Sequence, residues 1–166
     1  MGARAGKSST SKVSSGAIVT TPSPREIVIT RTFAAPRDVV FDAWTQPEHV
    51  QHWWDPSGAP LSVCEIDLRP NGAFRWVHGG AGGSQHAFAG TYREIAPPAR
   101  LVFSTRMARS GGESVGTLIF VEQDGLTTLT ITIECASQAD RDELLQMRVD
   151  VGTARTLDNL ASYLLR

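Results

Sequence analysis

The chain has 166 residues and 17.9 kDa, and its 16 basic and 17 acidic residues leave a net charge of -1. This length favours one domain with a substantial core, and the balanced charge argues against the basic surface of a nucleic-acid-binding protein. No apolar run reaches the roughly 18 residues of a membrane span, and no signal peptide is recognisable. Cys64 and Cys135 are far apart in sequence and are expected to be free thiols. We therefore expect a cytoplasmic protein.

The first 24 residues differ in composition from the rest of the chain. They are rich in Ser, Thr, Gly and Ala and contain almost no large side chains. Such a segment cannot bury enough apolar surface to offset about 1–2 kcal/mol of backbone entropy per residue. The sequence therefore predicts a disordered tail over residues 1–24 and a folded domain over residues 25–166.

One strand and two short helices are predicted next. Alternation of apolar residues over 26–33 indicates a strand. Pro36 suits the first turn of a helix because it lacks the N–H that would be unpaired there, and helical spacing continues to Thr45. A second short helix is expected from Pro47 until Asp55 and Pro56 stop it.

A strand-like region of about eighty residues follows. Short turns that include Asn71-Gly72 and Asp124-Gly125 separate its segments. Strands joined by such short turns must be antiparallel neighbours, because a parallel crossover needs about a dozen residues. The predicted strands cover residues 61–68, 73–77, 86–95, 100–107, 114–122 and 127–135.

One long amphipathic helix is predicted at the C-terminus, with Ser137 as its N-cap. Gly152 costs about 1 kcal/mol in a helix interior, so we expect a bend or a close contact there. One helix face carries apolar residues throughout. These residues are Leu144, Met147, Val151, Ala154, Leu157, Leu160, Ala161 and Leu164.

The order of elements predicts an α+β fold, in which a curved seven-stranded antiparallel sheet surrounds the long C-terminal helix. A single helix cannot cover the concave face of such a sheet, so we expect a cavity between them. The cavity should extend toward Gly152. Met147 and Val151 are expected on its floor and Trp54 near its mouth.

Several motifs carry a resemblance to a known family. They are TFAAPRDVVFDAWT at 32–45, the pair Trp53-Trp54, DLRPNG at 67–72 and GTYREI at 90–95. Over about residues 26–166 the chain resembles the SRPBCC (START/Bet v 1-like) superfamily, in particular the branch related to the activator of Hsp90 ATPase. The resemblance implies a helix-grip fold with an internal hydrophobic cavity. Thr153 stands where that branch usually has tryptophan.

The resemblance implies no reaction, because the superfamily includes lipid carriers, hormone receptors and polyketide cyclases. Binding of a small hydrophobic molecule, without chemistry, is favoured because the sequence offers no convergent pair of titratable groups. One alternative is a small cavity enzyme of the cyclase type, in which His78 or Tyr92 acts as general acid or base. The other is a co-chaperone-like domain that binds a chaperone.

Aromatic residues supply most of the candidate ligand contacts, and His78, His86 and Tyr92 are candidates for a polar contact. His49, His52 and Asp55 lie close in sequence, but no cysteine is near them, so no metal is expected. We also expect no cofactor, no catalytic residue, and a monomer or weak dimer. The predicted ligand-binding residues are Phe41, Trp54, Phe74, Trp76, His78, Phe88, Tyr92, Phe103, Met147 and Val151.

Overall fold

A computed structural model describes residues 12–14, 16–79 and 85–166, the first three by their backbone only. The described residues form one antiparallel sheet of nine strands, in the order β1-β2-β3-β9-β8-β7-β6-β5-β4. The strands are β1 Lys12–Ser14, β2 Ala17–Thr20, β3 Glu26–Phe33, β4 Val63–Ile66, β5 Ala73–His78, β6 His86–Ala96, β7 Arg100–Thr105, β8 Ser114–Gln123 and β9 Leu126–Glu134. The helices are α1 Arg37–Thr45, α2 Pro47–Val50, α3 Gln138–Gln146 and α4 Val149–Leu164.

The predicted meander is confirmed from β4 to β9, where each strand pairs with the next. The β8–β9 hairpin shows most clearly why consecutive strands are neighbours. Asp124 and Gly125 form its two-residue loop between the paired residues Gln123 and Leu126, and both have positive φ, at 54° and 77°. A loop of this kind matches the twist of the strands that it joins. On the other side of β9 the sheet continues through β3, which pairs with β9 over its whole length.

The predicted disorder of residues 1–24 is wrong where β2 lies. This strand pairs with β3, with Ile18 opposite Thr30. Ala17 and Val19 turn inward and are buried, while Ile18 points outward, so a short alternating pattern was hidden in a polar segment. β2 covers the edge of β3 that would otherwise have unpaired N–H and C=O groups. The sheet therefore has nine strands instead of seven; residues 1–11 and 15 lie outside the described residues.

Helix α1 is confirmed, and α2 begins at Pro47 as predicted but ends at Val50, before the expected stop at Asp55. Tryptophans hold the two helices together. The indole N–H of Trp53 donates to the carbonyl of Ala43 at 3.0 Å. Trp44 packs edge-on against Trp53, with ring centroids 4.8 Å apart, and against Trp54 at 5.9 Å. This cluster places Trp54 beside the sheet.

The predicted single C-terminal helix is broken into two, and the expectations for Gly152 and Met147 are corrected as well. Ser137 caps α3 by accepting the N–H of Asp140 at 3.1 Å, but α3 ends before Met147 and α4 starts after Arg148. Arg148 has a φ of 58°, so the chain leaves the helical conformation there. Gly152, where a bend was expected, lies within α4. The break also leaves Met147 54% exposed, so it does not belong to a buried apolar helix face on the cavity floor, where it was expected.

The rest of α4 docks on the sheet as the pattern predicts. Ala154, Leu157 and Leu160 are fully or almost fully buried. An ion pair between Arg31 of β3 and Asp158 of α4 joins helix and sheet. The fold is thus the predicted α+β helix-grip arrangement, with an open sheet curved around the C-terminal helix. None of the described helices has the length and apolar content that a membrane crossing requires.

Candidate ligand-binding site

An apolar space of about 110 Å³ separates α4 from the concave face of the sheet. We call it the inner chamber. None of the described side chains that line it is titratable, and two of them, those of Thr105 and Thr153, carry hydroxyls. The chamber is lined by Trp44, Trp54, Phe88, Phe103, Thr105, Met107, Gly116, Leu118, Ile131, Ile133, Val149 and Thr153.

Four neighbouring strands, β6 to β9, build the sheet wall of the chamber. Alternate residues of a strand share a face, so β7, β8 and β9 each supply two residues that are two positions apart, and β6 supplies Phe88. Phe103 of β7 lies opposite Gly116 of β8, and Leu118 of β8 lies opposite Ile131 of β9. The strand pairing therefore places these residues next to each other on the face of the sheet beneath α4.

A wider and more open space of about 520 Å³ adjoins the inner chamber. We call it the vestibule. The two spaces adjoin each other, because five residues line both; they are Trp54, Phe88, Met107, Val149 and Thr153. The remaining vestibule residues are Pro56, His78, His86, Ala87, Ala89, Arg106, Met147, Arg148, Gly152 and Thr156.

Trp54 stands at the junction between the two spaces. Its ring stacks on Phe88, with centroids 5.1 Å apart, and meets Trp76 edge-on at 4.7 Å. It is half-buried, whereas Trp44 behind it is buried. The indole N–H of Trp44 has no hydrogen-bond partner within the described residues. An unpaired buried donor is unfavourable, so a bound acceptor within its reach would be stabilised.

The structure divides the predicted ligand-binding residues into two sets. Trp54, Phe88 and Phe103 line the inner chamber, and His78 and Met147 line the vestibule, as does His86. Neither space is lined by Phe41, Phe74, Trp76, Tyr92 or Val151.

Packing with other aromatic rings accounts for most of the second set. Phe41 contacts Phe120 at a centroid distance of 5.3 Å, and Phe74 contacts Tyr92 at 5.1 Å. These rings are buried, as is Trp76, which packs against Phe88 at 5.7 Å. Val151 is separated from Val149 by about 200° around α4, so it cannot share the face that Val149 presents to the chamber.

Other lining residues were not predicted. Trp44, Val149 and Thr153 come from helices, and Gly116, Leu118, Ile131 and Ile133 come from strands. The alternation of β9 does indicate that Ile131 and Ile133 face inward. The alternation does not indicate which of the inward-facing positions lie beneath α4 and which lie beneath the loops.

Tyr92 and His78 do not form an acid–base pair. Tyr92 is six residues along β6 from His86, about 20 Å away, and His86 is the partner of His78 on β5. Burial, and secondarily the charge of Cys64, raises the pKa of Tyr92 above its usual range, and its hydroxyl has no partner in the described part of the chain. Burial also raises the pKa of the Cys64 thiol to about 11.

The histidines of α2 and the following turn are engaged elsewhere. His49 Nδ1 lies 2.5 Å from the hydroxyl of Tyr163, and the ring of His52 stacks on Tyr163. Asp55 lies 3.9 Å from His78 Nδ1, beyond hydrogen-bond distance, and accepts from Ser57 instead. Within residues 16–79 and 85–166 no three His, Cys, Asp or Glu side chains are grouped closely enough to bind a metal.

A curved antiparallel sheet that grips a C-terminal helix around an apolar chamber defines a helix-grip protein. The chain belongs to the family described as activator of Hsp90 ATPase homolog 1-like protein, whose model matches residues 34–165. This family is of the SRPBCC type, so the resemblance carried by the motifs at 32–45 and 67–72 is confirmed.

Solved bacterial structures share the fold. A protein from Rhodobacter sphaeroides is 24% identical, with a TM-score of 0.79 over 89% of this chain and 96% of that one. One from Nitrosomonas europaea is 23% identical, with a TM-score of 0.75 over 87% and 96%. One from Chromobacterium violaceum is 28% identical, with a TM-score of 0.71 over 84% and 96%. No curated protein matches this chain.

Proposed function

We propose that this protein binds a small hydrophobic molecule, the apolar part of which enters the inner chamber. The observation that carries the proposal is the chamber itself, about 110 Å³ of space walled almost wholly by apolar side chains. For comparison, an engineered apolar cavity of about 150 Å³ stays dry and binds benzene. A short alkyl group or a small ring is therefore the expected occupant.

Filling such a space is favourable for two reasons. The ligand removes apolar surface from water, at about 25 cal/mol per Å². It also supplies van der Waals partners to wall atoms such as those of Phe103, Leu118 and Ile131, which otherwise face a void. Molecules longer than the chamber can continue past Trp54 into the vestibule.

The chemistry of the wall supports binding over catalysis. General acid–base catalysis needs a titratable group within hydrogen-bond reach of the reacting atoms. The described residues of the chamber lining include no such group, and the two candidates, His78 and Tyr92, lie far from each other. The name of the family suggests a chaperone partner as the alternative, and a protein of that kind would need no ligand in the chamber.

A cavity-filling variant tests the proposal. The neutral fluorescent probe N-phenyl-1-naphthylamine should bind the wild type saturably, and Thr153→Trp should weaken that binding about tenfold or more because the indole occupies the chamber. Val151→Trp is the matched control, since Val151 is on the same helix and lines neither space.

Binding that is equal in the wild type and in Thr153→Trp would contradict the proposal, provided that circular dichroism shows both to be folded. Absence of saturable binding to the wild type would favour the chaperone-partner alternative. Native mass spectrometry would identify a ligand that co-purifies with the protein. The added mass of that ligand should be present in the spectrum of the wild type and absent from that of Thr153→Trp.

A further inference from the structure

Basic side chains surround the vestibule, although the protein as a whole carries a net charge of -1. Arg106, Arg148, His78 and His86 all line it. No Asp or Glu is among the lining residues that the structure describes. The positive character of this opening is therefore local and does not follow from the composition of the chain.

The two arginines differ in how far they are already engaged. Arg106 donates to the carbonyl of Gly111 at 2.9 Å, and another of its nitrogens lies 3.8 Å from Glu113. Glu113 is also paired with Arg93, so its charge is shared between two cations. For Arg148 no ion pair or side-chain hydrogen bond is found in the described part of the chain. Both guanidinium groups thus keep donors available for a ligand.

Two further features lie beside the same opening. Arg148 is the N-cap residue of α4 and makes no side-chain cap, and the carboxylate of Asp150 in the first turn offsets part of the positive potential of the first N–H groups. The rings of His78 and His86 stack at 5.2 Å on the other side of the opening. Asp55, which lies 3.9 Å from His78, is 6% exposed and is not a lining residue.

From this arrangement, and resting on the proposed function, we infer that the ligand is an amphipathic anion. Its apolar part occupies the inner chamber, and its acidic head group, a carboxylate or a group of similar charge, lies in the vestibule between Arg106 and Arg148. The two spaces adjoin at Trp54, Val149 and Thr153, so one molecule that passes these residues would reach both. A guanidinium binds a carboxylate through paired N–H donors, which suits such a head group.

A matched pair of probes distinguishes the contribution of the acidic head group to binding from that of the alkyl chain. Octanoate and octanol have the same alkyl length and differ in charge, so each is titrated against a fixed concentration of N-phenyl-1-naphthylamine and its displacement is measured. Octanoate should bind about tenfold more tightly than octanol at low salt. The preference should shrink at about 1 M salt, where exposed charges are screened within about 3 Å.

Charge-removing variants locate the effect. Arg106→Gln combined with Arg148→Asn should abolish the preference, so that octanoate binds no more tightly than octanol; asparagine is chosen because it tolerates the positive φ of residue 148. Arg155→Gln removes a charge from the exposed side of α4 outside the vestibule, and it should keep the preference.

The outcomes distinguish this inference from the proposed function. Equal binding of octanoate and octanol to the wild type would overturn the inference while leaving apolar binding intact. A preference that survives in the double variant would overturn it as well. Failure of both probes to displace the fluorophore would overturn the inference, and failure of the fluorophore itself to bind would overturn the proposed function.

Discussion

The ring of Phe103 lies against the bare α-carbon of Gly116, its partner across β7 and β8. A Cβ added at Gly116 would be 2.6 Å from Cε2 of Phe103, far closer than two carbons can approach. Both residues line the inner chamber. The absence of a side chain at 116 therefore sets where the Phe103 ring sits and, with it, the shape of one chamber wall.

Gly116→Ala should displace that ring. Overpacking of this kind costs about 1–3 kcal/mol, and we expect the free energy of unfolding in urea to fall by that amount. Binding of N-phenyl-1-naphthylamine should weaken too, because the displaced ring has the chamber beside it. Thr117→Ala, on the opposite face of β8, is the control and should change probe binding little. Unaltered stability in Gly116→Ala would contradict the packing described here.

Leu157 anchors α4 to the sheet and is completely buried. Leu157→Ala should reduce the free energy of unfolding by about 2–5 kcal/mol, from lost apolar burial and the cavity left behind. Leu165→Ala, at a residue that is 76% exposed, should change it by less than about 0.5 kcal/mol. Similar values for the two variants in chemical denaturation would mean that α4 is not docked as described.

Gly152 lies in α4, and a Cβ added there would meet no atom within 4 Å. Gly152→Ala should therefore stabilise the protein by about 0.5–1 kcal/mol, since alanine loses less conformational entropy than glycine in a helix. The thermal midpoint should rise while probe affinity stays within about twofold. A lower midpoint would show that the space beside Gly152 is occupied.

Alkaline pH should destabilise the protein through Cys64. Burial raises the pKa of this thiol to about 11, whereas in an unfolded chain it is about 8.5. A raised pKa means that the folded state holds the proton more tightly, so this contribution is complete below about pH 8.5 and is lost as pH rises toward 11. Tyr92 acts in the same direction, because burial raises its pKa as well.

Urea denaturation between pH 8 and pH 11 measures this loss. Cys64→Ala should show a shallower decline than the wild type, and adding Tyr92→Phe should make it shallower again. Parallel curves for all three proteins would exclude Cys64 and Tyr92 as the cause.

The sequence by itself determined the class of fold. Alternation over 127–135, the positive-φ turn at Asp124-Gly125 and the apolar face around Leu157 each act locally, through side-chain periodicity and backbone conformation. Such signals depend only on residues that are close in sequence. The meander, the short helices and a C-terminal helix packed on the sheet could therefore be predicted from them. They failed at β2, because a strand of four residues carries too little pattern and is stabilised by the open edge of β3.

Only the tertiary structure decided which inward residues face empty space. Phe74 and Phe103 read alike in sequence, yet rings such as Tyr92 pack against Phe74, while Phe103 borders the chamber. The break at Arg148 likewise turned Met147 outward and brought Val149 and Thr153 over the sheet. A cavity is what packing leaves unfilled, and that depends on the combined volumes of residues distant in sequence, which no local pattern encodes.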